Sequence, residues 1–285
     1  MKTTSERNWF DPGLPLALSW GELFTDFPVH DHVFDELMVI SKGTARHVAE
    51  GVEFDIGEGD VFAVKVGQTH GFMACERLQV LNVQYAPRLL EPKLAELRTL
   101  PGFNALFLVE PSRKFTRQFQ GHLRLGPADL KTLVALFQEL NAELSGRAPG
   151  WKVMAESLFF ELVTFLARRY ESRPRPDGEA MLALGKAIAR LGKGFDQPVT
   201  LRELAKSANM SVNSFLRAFK AVTGQSPMEY LLNERLRHAR ELLLGGRGSL
   251  AEIAAACGFN DSNYLSRQFK RRYGASPARY RKGTF

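Results

Sequence analysis

Two sets of basic residues stand fifty positions apart near the end of the chain. Arg217 and Lys220 recur as Arg267 and Lys270, and the neighbouring Phe, Gly, Ser, Pro and Tyr positions repeat at the same spacing. Guanidinium and ammonium groups bind phosphate oxygens, and guanidinium also forms paired hydrogen bonds with the edge of guanine. The repeat therefore indicates one supersecondary unit that is used twice to contact a nucleic acid.

Each copy carries the sequence signals of two short helices that are separated by a sharp turn. The first helix opens with a hydroxyl residue followed three positions later by glutamate, a pattern that fits a capping box. The second helix opens on a short polar residue that is suited to an N-cap. Two such helices, with basic and polar residues near the start of the second, predict a helix-turn-helix that lays its second helix in the DNA major groove. The capping residues are Thr200, Glu203, Ser211, Ser249, Glu252 and Asp261.

The segment between the copies predicts one longer helix that begins at Ser226 and Pro227 and ends before Gly245. Apolar residues recur along it at helical spacing. About 18 residues that rise ~1.5 Å each span ~27 Å, and this length can hold two recognition helices roughly one DNA turn of ~34 Å apart. One chain is therefore expected to read two successive major grooves on one face of the duplex.

Residues from about 180 to 285 resemble the DNA-binding domain of the AraC family of bacterial transcription regulators. The stretch from Ser249 to Lys270, closed by the segment from Gly274 to Arg281, is similar to the family signature almost throughout. The first copy of the unit is more divergent. The resemblance implies a tandem helix-turn-helix that binds promoter DNA through the second helix of each unit.

Side chains near the start of each recognition helix are expected to reach base edges, and later ones the DNA backbone. Arg217 is the predicted bidentate guanine contact, whereas Leu216 replaces a residue that is often polar in the family and would offer only apolar contact. Arg267 is either a second base contact or a structural, phosphate-clamping arginine, and Lys270 is expected at a phosphate. Tyr264 is expected in the core. The predicted DNA-binding residues are Asn213, Leu216, Arg217, Lys220, Ser262, Asn263, Ser266, Arg267, Lys270 and Arg271.

Charge is distributed unevenly along the chain. From Glu179 onward there are 18 Lys and Arg against 8 Asp and Glu, whereas the preceding residues carry 20 against 23. A strongly basic back half and an acidic-leaning front half indicate that only the back half meets phosphates.

The front half reads as a β domain with helices behind it. Short runs rich in Val, Phe, Leu and Ile are separated by glycines, a pattern that is typical of a barrel or sandwich. Two amphipathic helices follow, with apolar residues at three- and four-residue spacing. The predicted strands are Leu37–Ile40, Ala45–Val48, Val61–Val64 and Leu78–Gln84, and the predicted helices are Pro127–Leu144 and Trp151–Tyr170.

Histidine and glutamate residues in the β region form a second group of interest. His30, His32 and Glu36, followed by Gly43 and later by His70, resemble the two cupin motifs, in which such side chains converge in a jelly roll and bind a metal. Neutral imidazoles with one carboxylate suit Fe, Mn, Ni or Zn. The resemblance therefore implies a cupin-like barrel whose interior holds these four side chains.

The role of these histidines stays open, because Lys65 and Ala74 stand where the cupin pattern usually has Pro and Asn. Three interpretations remain: a bound transition metal, an organic effector that touches these side chains as in many sensor domains of the AraC family, or structural histidines. No other cofactor is predicted. Trp20 and Phe72 are candidates to stack on a sugar ring. The predicted effector-binding residues are His30, His32, Glu36, Arg46, Lys65 and His70, with Gln84 as a further polar candidate.

The predicted fold class is α+β. A cupin-like effector-binding barrel with packing helices is expected at residues 1–172, a linker with Pro and Gly at 173–179, and the AraC-type DNA-binding domain at 180–285. In the resembling proteins the helices after the barrel often form a dimer, so a homodimer is expected. RNA polymerase is the expected protein partner.

The predicted function is that of a transcription regulator, an activator controlled by a small effector that is most simply a sugar or sugar derivative. The alternatives are a metal-binding cupin enzyme fused to a DNA-binding domain and a ligand-independent DNA binder. Two cysteines, the lack of an 18-residue apolar run and the lack of a secretory pattern at the N-terminus predict a cytoplasmic protein.

Overall fold

The computed structural model describes residues 10–11, 13–109, 123–172, 179–246 and 248–282. The chain divides into two compact units, residues 1–185 (unit 1) and 186–285 (unit 2). The division falls within the helix Glu179–Lys193. The predicted linker lies outside the described residues, except for Glu179, which begins that helix. None of the described helices is long and apolar enough to cross a membrane.

Unit 1 contains an antiparallel sheet that has seven strands among the described residues. The strand order is β1-β6-β3-β5-β7, with β2 paired to β6 and β4 paired to β3. The strands are β1 (Leu16–Leu23), β2 (Phe27–His30), β3 (Asp35–Ala49), β4 (Val52–Gly57), β5 (Asp60–Val64), β6 (His70–Tyr85) and β7 (Leu123–Arg124).

The two long strands β3 and β6, of 15 and 16 residues, form the centre of this sheet. Their pairing shifts register three times between Ile40 and Arg46, and such bulges bend a strand. The first part of β3 pairs with β5 and its last part with β4. The predicted strands 37–40 and 45–48 are therefore one bent strand, and the α+β class with its cupin-like β domain is confirmed.

Alternation along the strands sorts side chains onto two faces of the sheet. Met38, Ile40 and Val80 belong to one buried apolar cluster, and the even-numbered positions of β6 beyond Val80 continue this inner face. On the opposite face, the ring of Tyr85 packs against Phe159, with centroids 5.1 Å apart. The helices behind the sheet therefore cover the outer face, while the inner face surrounds the interior of the β domain.

The helices of unit 1 follow the sheet, and the two longest confirm the predicted helices with ends extended by two residues. Gly102 lies so close to the backbone of Ala167 that any side chain there would collide with it. The helical segments are a 3-10 helix (Pro87–Lys93), α1 (Leu94–Leu97), α2 (Pro101–Phe103), a π-helix (Asn104–Val109), α3 (Pro127–Gly146), α4 (Trp151–Ser172) and α5 (Glu179–Lys193), which continues into unit 2.

The regular secondary structure described in unit 2 is all helical, and the predicted caps are present. The capping boxes at Thr200, Ser226 and Ser249 are complete, and Asp261 accepts hydrogen bonds from two backbone N–H groups of the following helix. The helices are α6 (Leu201–Ser207), α7 (Val212–Thr223), α8 (Pro227–Leu244), α9 (Leu250–Ala256), α10 (Ser262–Tyr273) and α11 (Pro277–Arg281).

The sequence repeat appears in unit 2 as a repeated packing arrangement. Phe219 meets the edge of Tyr230 at 5.6 Å between centroids, and Phe269 meets Tyr280 at 5.1 Å, with interplanar angles of 83° and 85°. Both pairs are buried. Edge-to-face contacts of this kind stabilise aromatic cores, so the same residues at the same spacing anchor both helix-turn-helix units.

Candidate functional site

The first recognition helix, α7, presents one polar face and one buried face. Phe215 and Phe219 are fully buried, whereas Asn213, Arg217 and Lys220 are exposed. These three lie four and three positions apart, so they share one side of the helix. Leu216, which was also predicted to contact DNA, is half-buried.

The second recognition helix, α10, repeats this arrangement fifty positions later. Asn263, Arg267 and Lys270 are exposed on one side, together with Arg271. Ser262 and Ser266 are half-buried, and the hydroxyl of Ser266 donates to the backbone oxygen of Ser262 at 2.9 Å. The predicted DNA-binding residues of α10 therefore lie on its accessible side, with the two serines at the margin.

The expectation that Tyr264 belongs to the core is wrong. Its side chain is 41% exposed, because it lies on the helix stripe of Gln268 and Arg271 rather than on that of Leu265. The guanidinium of Arg267 lies 6.0 Å from the centre of the Tyr264 ring. Tyr264 thus lies beside the predicted base contact, a position that its aromatic character alone did not indicate.

Charge on α10 favours a nucleic acid at this surface. The helix contains Arg267, Lys270, Arg271 and Arg272 but neither Asp nor Glu. Three of these basic residues lie in its last turn, where positive charge also stabilises the helix dipole. The net positive charge is therefore partly structural, but it leaves no carboxylate on this helix to repel a phosphate.

Unit 1 contains a cavity of about 450 Å³ on the inner face of the sheet, a volume within the usual range for small-molecule sites. Of the six predicted effector-binding residues, the structure brings His30, His32, Glu36 and His70 together in its wall, while Arg46 and Lys65 lie elsewhere. The lining residues are Ser19, Trp20, Gly21, Leu23, Phe27, His30, Asp31, His32, Val33, Phe34, Glu36, Met38, His70, Phe72, Val80, Asn82 and Gln84.

Arg46 and Lys65 lie away from the cavity because of strand parity. The register shifts in β3 place Ala45 on the inner face, so Arg46 faces outward, where it lies 3.4 Å from Glu53. A slip of one residue exchanges the two faces of a strand. Lys65 follows the inward Val64, and its ammonium group pairs with Asp35.

Glu36 lies at the centre of the polar part of the wall. Its Oε1 accepts a hydrogen bond from the amide of Gln84 at 3.0 Å, while its Oε2 lies 3.6 Å from Nε2 of His32 and 3.4 Å from Nε2 of His70. His30 does not join this group: its ring packs against His70, tilted by 41° with centroids 4.4 Å apart, and its Nδ1 lies 3.1 Å from the oxygen of Pro28.

Burial and local charge decide the protonation of this group. Burial raises the pKa of Glu36, but the facing imidazole of His32, helped by His70 and Gln84, outweighs it and holds that pKa below its ordinary value. Burial lowers the pKa of His70 to about 3, against the opposing charge of Glu36. At neutral pH, Glu36 is therefore ionised and His70 is neutral.

Sequence reasoning missed three polar residues of the cavity wall, Ser19, Asp31 and Asn82. Asn82 lies two positions before Gln84 on the same face of β6, and both amides lie within 3.4 Å of the Ser19 hydroxyl. The period of two along the strand could have identified Asn82. Ser19 could not be found in this way, because only the pairing of β1 with β6 brings it into place.

Comparisons with known proteins cover both units. The family described as AraC-like ligand binding domain matches residues 16–163, and a helix-turn-helix domain family matches residues 204–283. The HTH-type transcriptional activator RhaR of Escherichia coli (strain K12) is 32% identical over 256 residues, which are 90% of this chain and 87% of the relative.

Two solved structures also match this chain, each with a low TM-score. The DNA-binding domain of AdpA, a global transcriptional factor crystallised with a target DNA, is 33% identical and covers 35% of this chain and 91% of its own, with a TM-score of 0.34. Wild-type ToxT of Vibrio cholerae strain SCE256, bound to an unsaturated fatty acid, is 13% identical, covers 95% of each chain and has a TM-score of 0.35.

Proposed function

The chain belongs to the AraC family of transcription regulators, and from that membership we propose that it activates transcription when a small effector binds in unit 1. The observation that carries the DNA-binding part is the matched exposure of Asn213, Arg217 and Lys220 with Asn263, Arg267 and Lys270 on two capped recognition helices. The relative of similar length is named a transcriptional activator, which supports activation as the outcome.

We assign different roles to the basic residues of the recognition helices. Arg217, near the middle of α7, is the proposed guanine contact, because guanidinium forms paired hydrogen bonds with guanine O6 and N7. Lys270, in the last turn of α10, is the proposed phosphate contact. Asn213, Leu216 and Lys220 complete the first surface. The second surface also includes Ser262, Asn263, Ser266, Arg267 and Arg271.

The experiment compares Arg217→Ala with Lys270→Ala on an operator that is first selected from random duplexes by the wild-type chain. We expect Arg217→Ala to lose about 1–3 kcal/mol on the selected operator and to relax preference at one base pair. Lys270→Ala should weaken binding to specific and random duplexes alike and lower the salt slope by about one unit. Equal losses on both duplexes for Arg217→Ala would refute its assignment as a base contact.

We propose a carbohydrate as the effector. Phe72 offers aromatic surface to a sugar ring, and Glu36, Asn82 and Gln84 offer acceptors and donors to its hydroxyl groups. Trp20, the other predicted stacking residue, alternates with the inward Ser19 on β1, so its ring lies on the outer face, against Phe137. A cavity of about 450 Å³ has room for a small sugar or sugar derivative. Binding of a panel of sugars and sugar acids, measured by thermal shift and by tryptophan fluorescence, tests this class of effector. If none of them shifts the transition or changes operator affinity, a ligand-independent DNA binder becomes the better description.

We further propose a homodimer and contact with RNA polymerase, the partner that an activator must engage. Val153 and Met154, at the start of α4, are 68% and 50% exposed, and this apolar surface is our candidate for the dimer contact. Sedimentation of the full-length Val153→Asp variant tests this dimer contact. Val66→Asp, at another exposed valine, is the control. Because bacterial promoters lie in the cytoplasm, we propose the same location for this protein.

A further inference from the structure

Three buried side chains of unit 1 bring one possible ligand atom each into a single cluster. These atoms of His32, Glu36 and His70 all lie within 4.8 Å of one another. Oε2 of Glu36 lies 3.6 Å from Nε2 of His32 and 3.4 Å from Nε2 of His70. Two atoms bound to one metal ion at ~2.0–2.2 Å lie roughly 3–3.5 Å apart. The two distances from Glu36 are therefore close to those between ligands that share one ion.

Neighbouring groups hold two of these side chains in the orientation that an ion requires. Nδ1 of His32 donates to the backbone oxygen of Phe34 at 2.6 Å, which leaves the lone pair of Nε2 directed at the cluster. The His32 ring also stacks on Phe34, with centroids 4.4 Å apart and planes 2° from parallel. Gln84 holds Oε1 of Glu36 and leaves Oε2 free to bind. Contacts of this kind orient metal ligands in proteins.

Hydrogen bonds among the described residues do not account for the position of the His70 side chain. It is 2% exposed, and neither ring nitrogen has a hydrogen-bond partner. Nε2 of His32, a residue that is 8% exposed, also has no hydrogen-bond partner. A buried polar group without a partner is unfavourable, whereas a cation bound to both Nε2 atoms and to Oε2 of Glu36 would satisfy all three.

We propose that His32, Glu36 and His70 bind one divalent first-row transition metal ion through two imidazoles and one carboxylate. This donor set suits Fe, Mn, Co, Ni or Zn. All three ligands line the cavity, so the remaining coordination positions open into it. An oxygen atom of the effector can occupy such a position, a step that rests on the proposed function, whereas the metal site itself does not.

His30 is not a ligand in this proposal, although the sequence motif groups it with the other three. Its Nδ1 lies 3.1 Å from the oxygen of Pro28, and its ring packs at a tilt against that of His70. It is also more exposed than His32 and His70. The structure thus separates a ligand set of three residues from a fourth histidine at the wall, where it is placed to contact the effector.

The experiment uses the full chain without an affinity tag, stripped with a chelator and reloaded with Co²⁺ alone. Elemental mass spectrometry gives the stoichiometry, and visible d–d absorption reports the ligands. We expect one ion per chain in the wild type and loss of the ion in His70→Ala and Glu36→Gln. His30→Ala and His238→Ala, a histidine of unit 2, should keep it. Gln84→Ala should weaken binding about 10–100-fold.

Two results would overturn the proposal: a wild type that retains no cobalt, or a full complement of cobalt in both ligand variants. Loss of cobalt in His30→Ala would overturn the three-residue assignment. Circular dichroism identifies any variant that fails to fold, and Glu36→Gln, which keeps the size of the side chain, decides the matter if His70→Ala does not fold. Operator binding is measured separately, so loss of metal with intact DNA affinity would leave the proposed function standing.

Discussion

Gly258, in the turn between the two helices of the second DNA-binding unit, is the position where we expect one methyl group to have the largest effect. Its φ is +73°, and an added Cβ would lie 2.5 Å from the oxygen and 2.8 Å from the Cα of Asp196. Gly274, at the C-cap of α10, has a similar φ of +76° but open space around it. Gly274→Ala is therefore the matched control for Gly258→Ala.

The two substitutions share one cost and differ in another. A left-handed backbone costs a residue with a Cβ about 1–2 kcal/mol, and the lower entropy of the unfolded chain returns about 0.4–1 kcal/mol. Gly274→Ala should therefore lower the free energy of unfolding of unit 2 by about 1 kcal/mol. Gly258→Ala must also displace the peptide of Asp196, and overpacking of this kind costs about 1–3 kcal/mol. The expected total for Gly258→Ala is about 2–4 kcal/mol.

Urea denaturation of the full chain measures this difference. All three tryptophans, at positions 9, 20 and 151, precede unit 2, so their fluorescence follows unit 1 and serves as an internal reference. Far-ultraviolet circular dichroism follows the helices of both units, so the unfolding of unit 2 is the part of its change that tryptophan fluorescence does not share. Equal shifts for Gly258→Ala and Gly274→Ala would refute the reasoning, because the contact with Asp196 would then have no energetic effect.

Three further predictions concern stability, reactivity and ligand binding. Ser249→Ala removes the capping box that Ser249 forms with Glu252 and should destabilise unit 2 by about 0.5–2 kcal/mol in the same urea assay; no change would contradict a role for the cap. Burial raises the pKa of Cys257 to about 11, so in a thiol-labelling assay near pH 8 the half-buried Cys75 should react in the native state and Cys257 only after unit 2 unfolds. Arg46→Ala should leave effector affinity within twofold of the wild type in a titration, because the side chain lies outside the cavity; a tenfold loss would contradict that placement.

Much of unit 2 could be predicted because its signals are local. The capping boxes at Thr200 and Ser249, the apolar stripe of α8 and the repeated Phe and Tyr positions all lie within a few helical turns of the residues that they organise. Tyr264 was the error there, because an aromatic residue next to a core leucine can lie either in the core or on the exposed side of the helix. Its exposure depends on how α10 is rotated against its neighbours, which the sequence of one helix does not determine.

In unit 1 the residues of the site could be named, but their grouping could not. His30, His32, Glu36 and His70 were identified by their resemblance to a motif, whereas Arg46 and Lys65 were added as polar residues expected to point inward from the strands. Which of these face the cavity depends on strand parity, and the register shifts between Ile40 and Arg46 reverse that parity within a single strand. No residue pattern in the sequence marked these bulges.

By itself, the sequence determined that this chain is a DNA-binding regulator with a β domain in front, because caps, helical periods and a gapless family signature act over short stretches of chain. Only the tertiary structure decided which polar residues meet. Asp196 lies against Gly258 and Ser19 against Gln84, pairs that are more than sixty positions apart in the sequence. Contacts over such distances depend on register and packing, whose energies are summed over many residues and belong to no single motif.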